Sequence, residues 1–280
     1  MQKSIKKYFP IFALPTFIAF TIGFIVPFLM GIYLSFCKFT TVTDAKFVGF
    51  SNYTKIFTDA TFLHALWYTA LFTIVSVVLI NVLAFVIAML LTKGIRGTNI
   101  FRTVFFMPNL IGGIVLGYIW QLLLNGILMK FSRTLTYSST YGFWGLIILM
   151  CWQQIGYMMI IYIAGIQNIP GELIEAAEID GATKWQILKK VTIPMVMPSI
   201  TVCTFLTLTN SFKLFDQNLA LTNGEPSKMS EMLALNIFNT FYGRTGYEGV
   251  GQAKAVIFFI LVTVIALTQN YLTRRKEVQQ

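Results

Sequence analysis

The chain has 280 residues, of which 56% are hydrophobic and 11% charged, against roughly 25% charged residues in ordinary soluble domains. That composition excludes a soluble globular domain and indicates a membrane protein. The net charge of +10 does not call for nucleic acid, because the basic residues lie mainly at the ends of apolar runs, where anchoring and topology explain them.

A bilayer-spanning helix needs about 20 mainly apolar residues, and six stretches qualify. Residues 11–36 form the first. Lys3, Lys6 and Lys7 precede it as they would a signal peptide, but the apolar run is too long and no small-residue cleavage site follows. A retained anchor with a cytoplasmic N-terminus is expected. Residues 38–61, with Asp44, Lys46, Gly49, Asn52 and Asp59, make a first external loop. Residues 66–91 form the second span. His64, the lone histidine, stands before it as an interfacial residue rather than a ligand.

A short basic turn at 93–98 leads to the third span, 104–124, interrupted by Pro108 and Gly112-Gly113. Gly113 and Gly117 have the small-xxx-small spacing of closely packed helices. Residues 125–141, rich in Ser and Thr, form a second external loop, and 143–166 the fourth span, with Trp152, Gln153, Gln154 and Tyr157 at its centre. The fifth span, 195–221, is unusually polar in its second half. Residues 222–251 make a third external loop or short helix, and 253–272 the sixth span, followed on the inside by Arg274, Arg275 and Lys276. The expected fold is all-α: one polytopic domain over 1–280, with six transmembrane helices and both termini cytoplasmic. Lys and Arg number twelve inside against eight outside, which agrees with this orientation. Cys37, Cys151 and Cys203 fall in or beside apolar runs with no Cys-x-x-Cys, so neither a metal nor a redox site is expected.

The longest polar interval on the inner side lies between the fourth and fifth spans. Pro170 suits a first helical turn, and Glu172, Glu175 and Glu178 place negative charge near a helix N-terminus. Gly181 fits a helix stop. Thr183 and Gln186 have the spacing of a capping box for a second short helix, with Trp185 and Leu188 on one face and Lys189 and Lys190 near its end. The pattern alone allows an ordinary connection between spans: two short helices around a glycine corner, outside the bilayer.

The residues themselves narrow this. Glu175-Ala176-Ala177, then Asp180-Gly181-Ala182, then Ile193-Pro194 and Pro198 resemble the EAA loop of bacterial ABC importer permeases. The resemblance implies a coupling loop over 169–193 that docks into a cleft on a separate ATPase subunit, through Glu175, Ala176, Ala177, Asp180, Gly181, Ala182, Leu188 and Pro194. Leu188 stands where that family usually has phenylalanine. Phe101-Arg102-Thr103, Pro108 and Trp120 resemble the third-span region of sugar-type permeases. Phe215-Asp216, Leu221 to Gly224 and Pro226, then Tyr247, Gly251 and Ala255, resemble their later segments. The resemblance covers roughly residues 10–275 and implies the carbohydrate, maltose-type branch in a bacterial cell membrane. Implied partners are a second homologous permease, two ATPase subunits, an extracellular solute-binding protein and a sugar carried by alternating access.

The chain has no G-x-x-x-x-G-K-[ST] phosphate loop and no His-Glu-x-x-His, and one histidine leaves no Ser/His/Asp set. A non-catalytic subunit is expected, with no cofactor of its own and with ATP and Mg bound by the partner ATPase. Polar groups in hydrocarbon are costly and usually face a bundle interior or watery cavity. The fifth span nonetheless carries Asn210, Ser211, Lys213, Asp216, Gln217 and Asn218. Asn210, Lys213 and Gln217 fall at i, i+3 and i+7, one helical stripe. Lys213 and Asp216 have the spacing to pair. Phe212 and Phe215 flank them, and amides beside aromatics suit sugar hydroxyls and ring faces. Trp152, Gln153 and Gln154 are the expected facing wall. The same groups also serve two other readings: interhelical hydrogen bonding with a neutralised ion pair, or an ion-coupled secondary transporter using Lys213 and Asp216 as a relay.

Overall fold

The computed structural model describes residues 2–94 and 96–275; Lys276, expected to cap the last span, lies outside them. Five helices are long and apolar enough to cross a membrane, and a bent pair brings the number to six. The five are Ala13–Ser35, Ala60–Leu91, Gly113–Phe131, Ser139–Gln167 and Glu248–Arg274; the sixth is the bent pair Lys184–Met195 and Met197–Phe212 when it is taken as one span, its first arm beginning in the polar connection after the fourth span. The chain divides into two compact units, Met1–Ala60 with Ile237–Ile260, and Thr61–Asn236 with Leu261–Gln280.

In the first unit, the opening span is broken by a π-helical turn at Thr21–Ile25. The Thr21 hydroxyl donates back to the Phe17 carbonyl at 2.8 Å, a side-chain bond that competes with the helix ladder. Within the segment expected as the first external loop, Cys37–Lys38 pairs antiparallel with Lys46–Phe47, and a helix follows at Ser51–Thr58. The buried Asn52 amide fixes this segment by donating to the carbonyls of Ser35 and Cys37 at 2.9 and 2.8 Å. Lys254, one of the eight charges counted outside although it stands at the start of the sixth span, is fully buried. Its ammonium meets Asp59 at 2.8 Å and the Thr240 hydroxyl at 2.9 Å, which is how a buried cation is tolerated.

In the second unit, the second span buries Phe72, Ser76, Ile80, Ala84, Ala88 and Leu91, a three-and-four spacing that makes one face. Asn81 joins three helices: its oxygen accepts from the Tyr162 hydroxyl at 2.7 Å and its amide donates to Thr207 at 3.3 Å. Such cross-helix bonds help hold helices together where water cannot serve.

The third span starts later than the sequence implied. A helix at Thr98–Phe106 and a 3₁₀ turn at Met107–Leu110 precede it. The chain is extended at Ile111 and Gly112 before the helix resumes at Gly113. Pro108 supplies no amide for the ladder. Tight packing holds the preceding helix in place, since a Cβ on Gly156 of the fourth span would overlap the Phe105 carbonyl.

The fifth span differs most from expectation. Its two helices meet at 69°, with Val196 at φ −89° and ψ 2°. Pro198, in the first turn of the second helix, cannot donate back across the bend. That helix then stops at Phe212 rather than continuing to 221: Lys213 caps it, and a separate helix runs Asp216–Leu221. Packing favours this break. A Cβ on Gly113 would lie 2.7 Å from the Asp216 Cβ, and one on Gly117 would lie 2.5 Å from the Ala220 Cβ. The two glycines therefore let the short helix settle directly on the third span.

Candidate functional site

The break after Phe212 gathers polar side chains around a cavity of about 290 Å³. Its walls are Met150 and Gln154 from the fourth span, and Asn210, Lys213, Leu214, Phe215, Asp216 and Gln217 from the break. Asn210, Lys213 and Gln217 thus share one cavity, but not as a stripe on one continuous helix. Lys213 and Asp216 are both exposed, and no ion pair joins them among the described residues. The expected pairing is corrected: Lys213 ends one helix while Asp216 begins the next, and the turn between them sets the two charges apart.

The amides are partly engaged already. Asn210 donates to the Gln154 side-chain oxygen at 3.5 Å, and Gln217 donates to that of Gln153 at 2.8 Å. Gln153 is buried and donates in turn to the Ile111 carbonyl at 3.3 Å, so it supports the wall from behind. Trp152 is exposed on another face, in edge contact with Trp120. Ser211 is fully buried with no partner for its hydroxyl and does not line the cavity. Asn218 holds the turn together, donating to the Ser230 carbonyl at 2.8 Å and accepting from the Met232 amide at 2.9 Å. Among the lining residues absent from the expected set, Met150 has a legible signal, four residues before Gln154 on the same face. Leu214 has none, since it faces the cavity only because the helix breaks.

The second candidate region is the connection between the fourth and fifth spans. Pro170 caps rather than opens the helix Gly171–Ile179. That helix ends on Gly181 with φ +75°, a conformation glycine adopts at little cost. The Ala182 amide bonds the Ala177 carbonyl and the Gly181 amide that of Glu178, both at 3.0 Å, the Schellman arrangement for closing a helix end. Thr183 and Gln186 form the capping box, Gln186 N–H to the Thr183 hydroxyl at 3.3 Å and Thr183 N–H to the Gln186 side chain at 2.7 Å. A π-helical stretch, Leu188–Thr192, leads to Pro194.

Glu175, Ala176, Asp180 and Gly181 are exposed, whereas Ala177, Ala182, Leu188 and Pro194 are half-buried. The most exposed apolar groups of this connection are Ile179 and Trp185, 86% and 69% exposed on either side of the corner. Ile174 and Ile169 of this connection share a small cavity with Met89, Thr92 and Lys93, which brings it to the same end of the unit as the basic turn after the second span.

Known proteins agree with this architecture. Residues 80–278 match the family described as binding-protein-dependent transport system inner membrane component. A probable starch degradation products transport system permease from Thermoanaerobacterium thermosulfurigenes is 43% identical, covering 96% of this chain and 94% of the relative. A multiple sugar-binding transport system permease from Streptococcus mutans is 30% identical over 99% of both chains. Among solved structures, a chain of a bacterial ABC transporter involved in import of the acidic polysaccharide alginate superposes with a TM-score of 0.80, at 21% identity and 98% coverage of each chain. At that identity the likeness concerns the fold. The chain belongs to the inner-membrane components of binding-protein-dependent transport systems, the multi-pass permease subunits of ABC importers.

Proposed function

We propose that this permease carries carbohydrates, oligosaccharides foremost, by alternating access, with residues 1–280 acting as one permease domain and both termini in the cytoplasm. The observation that carries this is the cavity itself. Gln154, Asn210, Lys213, Asp216 and Gln217 converge beside Phe215 on one polar recess. Sugars present hydroxyls that both donate and accept, and these side chains include groups of both kinds. The names of the relatives, which specify starch degradation products and multiple sugars, support the same class. Polar groups within or beside membrane-spanning helices are expensive unless they serve a route or a partner.

The partners are a sister permease, two ATPase subunits that bind ATP and Mg, and an external solute-binding protein. The connection 169–193 is the coupling element. Glu175, Ala176, Asp180 and Gly181 form its exposed ridge, and Ala177, Ala182, Leu188 and Pro194 hold the two helical pieces at their angle. ATP binding closes the ATPase pair, moves this element and opens the cavity outward; hydrolysis returns it inward. Lys213 and Asp216 are not paired among the described residues, so they form no direct proton relay.

Uptake kinetics of Asn210→Ala and Gln217→Ala in the reconstituted transporter test the route. Losing a hydrogen-bonding group at a ligand site costs about 1–3 kcal/mol. Both variants are expected to assemble normally and to raise the substrate concentration needed for half-maximal uptake by about tenfold. Unchanged kinetics in both would remove this cavity from the pathway.

A further inference from the structure

Lys213 and Asp216 face one cavity from opposite sides of a helix break, both exposed and not joined as an ion pair. The break holds them apart, because Lys213 caps the helix Met197–Phe212 and the Asp216 Cβ is lodged against Gly113. Two opposite charges kept separate in a polar recess each require a counter-group or water. The three amides around them, on Gln154, Asn210 and Gln217, donate and accept alike. They therefore contribute affinity without reading a ligand's charge.

We propose that Lys213 and Asp216 form a split pair of substrate ligands that selects uncharged oligosaccharides over acidic ones, an inference that rests on the cavity being the sugar route. A neutral sugar satisfies both charges at once. One hydroxyl donates to the Asp216 carboxylate, and a second oxygen accepts from the Lys213 ammonium. A uronate carboxylate can meet Lys213, but it places a second negative charge in the recess beside the Asp216 carboxylate. It also adds a charge that must be stripped of water on entry. Charge substitutions at the two positions therefore move selectivity in opposite directions. Asp216→Asn leaves a net positive recess and favours the acidic sugar; Lys213→Gln leaves a net negative one and disfavours it.

The test is equilibrium binding to the complete transporter in lipid nanodiscs, without the solute-binding protein, so that its own selectivity does not enter. The probes are maltotriose, cellotriose and xylotriose, each compared with a trisaccharide of equal length carrying a terminal uronic acid. The wild-type protein is expected to favour the neutral member of at least one pair by about tenfold, the size of a single unpaired charge interaction between the bulk-water and protein-surface limits. Asp216→Asn is expected to lower that ratio about tenfold, and Lys213→Gln to raise it by a similar factor. A merely structural role for either residue would weaken both members of a pair together and leave the ratio unchanged, overturning the selectivity inference while sparing the sugar route. If no probe, neutral or acidic, binds the wild-type protein, the carbohydrate cavity itself is refuted and this inference with it.

Discussion

The Gln217 side-chain amide donates to the Gln153 side-chain oxygen at 2.8 Å, and the Gln153 amide donates onward to the Ile111 carbonyl at 3.3 Å. This two-bond chain links the short helix that lines the cavity to the extended residues that open the third span. Gln153 is buried, so removing it strands groups on both sides, while removing Gln217 strands one.

Gln153→Ala is therefore expected to destabilise the detergent-purified permease by about 2 kcal/mol, and Gln217→Ala by about half as much. The double variant is expected to cost less than the two single changes added together, because the shared bond is lost only once. Thermal unfolding of the four proteins measures this. Strict additivity would show that the two glutamines do not depend on each other.

A packing prediction concerns Gly156 and Gly117. A Cβ at Gly156 would overlap the Phe105 backbone, which cannot give way as a flexible side chain can, and at Gly117 it would press on Ala220. Overpacking of this kind costs about 1–3 kcal/mol. Gly156→Ala is expected to lower membrane yield and unfolding temperature more than Gly117→Ala. Gly126→Ala, which meets nothing within 4 Å, is expected to leave both unchanged. Equal behaviour of all three would contradict the close approach of these helices.

The pair Lys254–Asp59 makes an asymmetric prediction. Lys254 is fully buried, whereas the Asp59 side chain keeps 20% exposure. Asp59→Asn leaves the buried cation facing a neutral amide, and breaking a buried pair from one side costs about 3–5 kcal/mol. Lys254→Met leaves a carboxylate that water still reaches, so its cost is expected to be smaller. The comparison is made by heating both variants in the same detergent. A larger loss for Lys254→Met would reverse the assignment of which charge needs the pair.

Coupling is expected to depend on Gly181 and Glu175. The positive φ at Gly181 strains any β-branched replacement, so Gly181→Val should misplace the helices on either side of it. Glu175 is exposed, and its loss should remove contacts to the ATPase without disturbing the bundle. Both variants are expected to insert and pair with the sister permease while losing stimulation of ATP hydrolysis by loaded binding protein. Full stimulation in both would reduce this stretch to a simple connection. Separately, an impermeant reagent should fail to label Lys184→Cys from outside intact cells, in a background lacking the three native cysteines.

Much of the fold was legible because lipid leaves few options: a run of about 20 apolar residues must become a helix. The connection after the fourth span was equally readable, since Thr183, Gln186 and Gly181 specify a cap and a corner from local chemistry alone. The cavity was only half readable. Asn210, Lys213, Asp216 and Gln217 were identifiable as polar groups out of place, but periodicity assigned them to one helix. What accommodates the broken helix lies a hundred residues away, in Gly113 and Gly117, whose missing side chains let the segment Asp216–Leu221 pack across the third span. Lys254 was misread for a similar reason: its partners Asp59 and Thr240 come from other segments, and nothing beside it in the sequence marks it as buried.

The decisive measurement is sugar uptake into vesicles reconstituted with the permease pair and its ATPases, supplied with loaded binding protein outside and ATP inside. Uptake is expected to require both ATP and the binding protein, to persist when an uncoupler collapses the proton gradient, and to fall when Asn210 or Gln217 is replaced by alanine. Uptake that continues without the ATPase and stops with the uncoupler would contradict an ATP-driven route through this cavity.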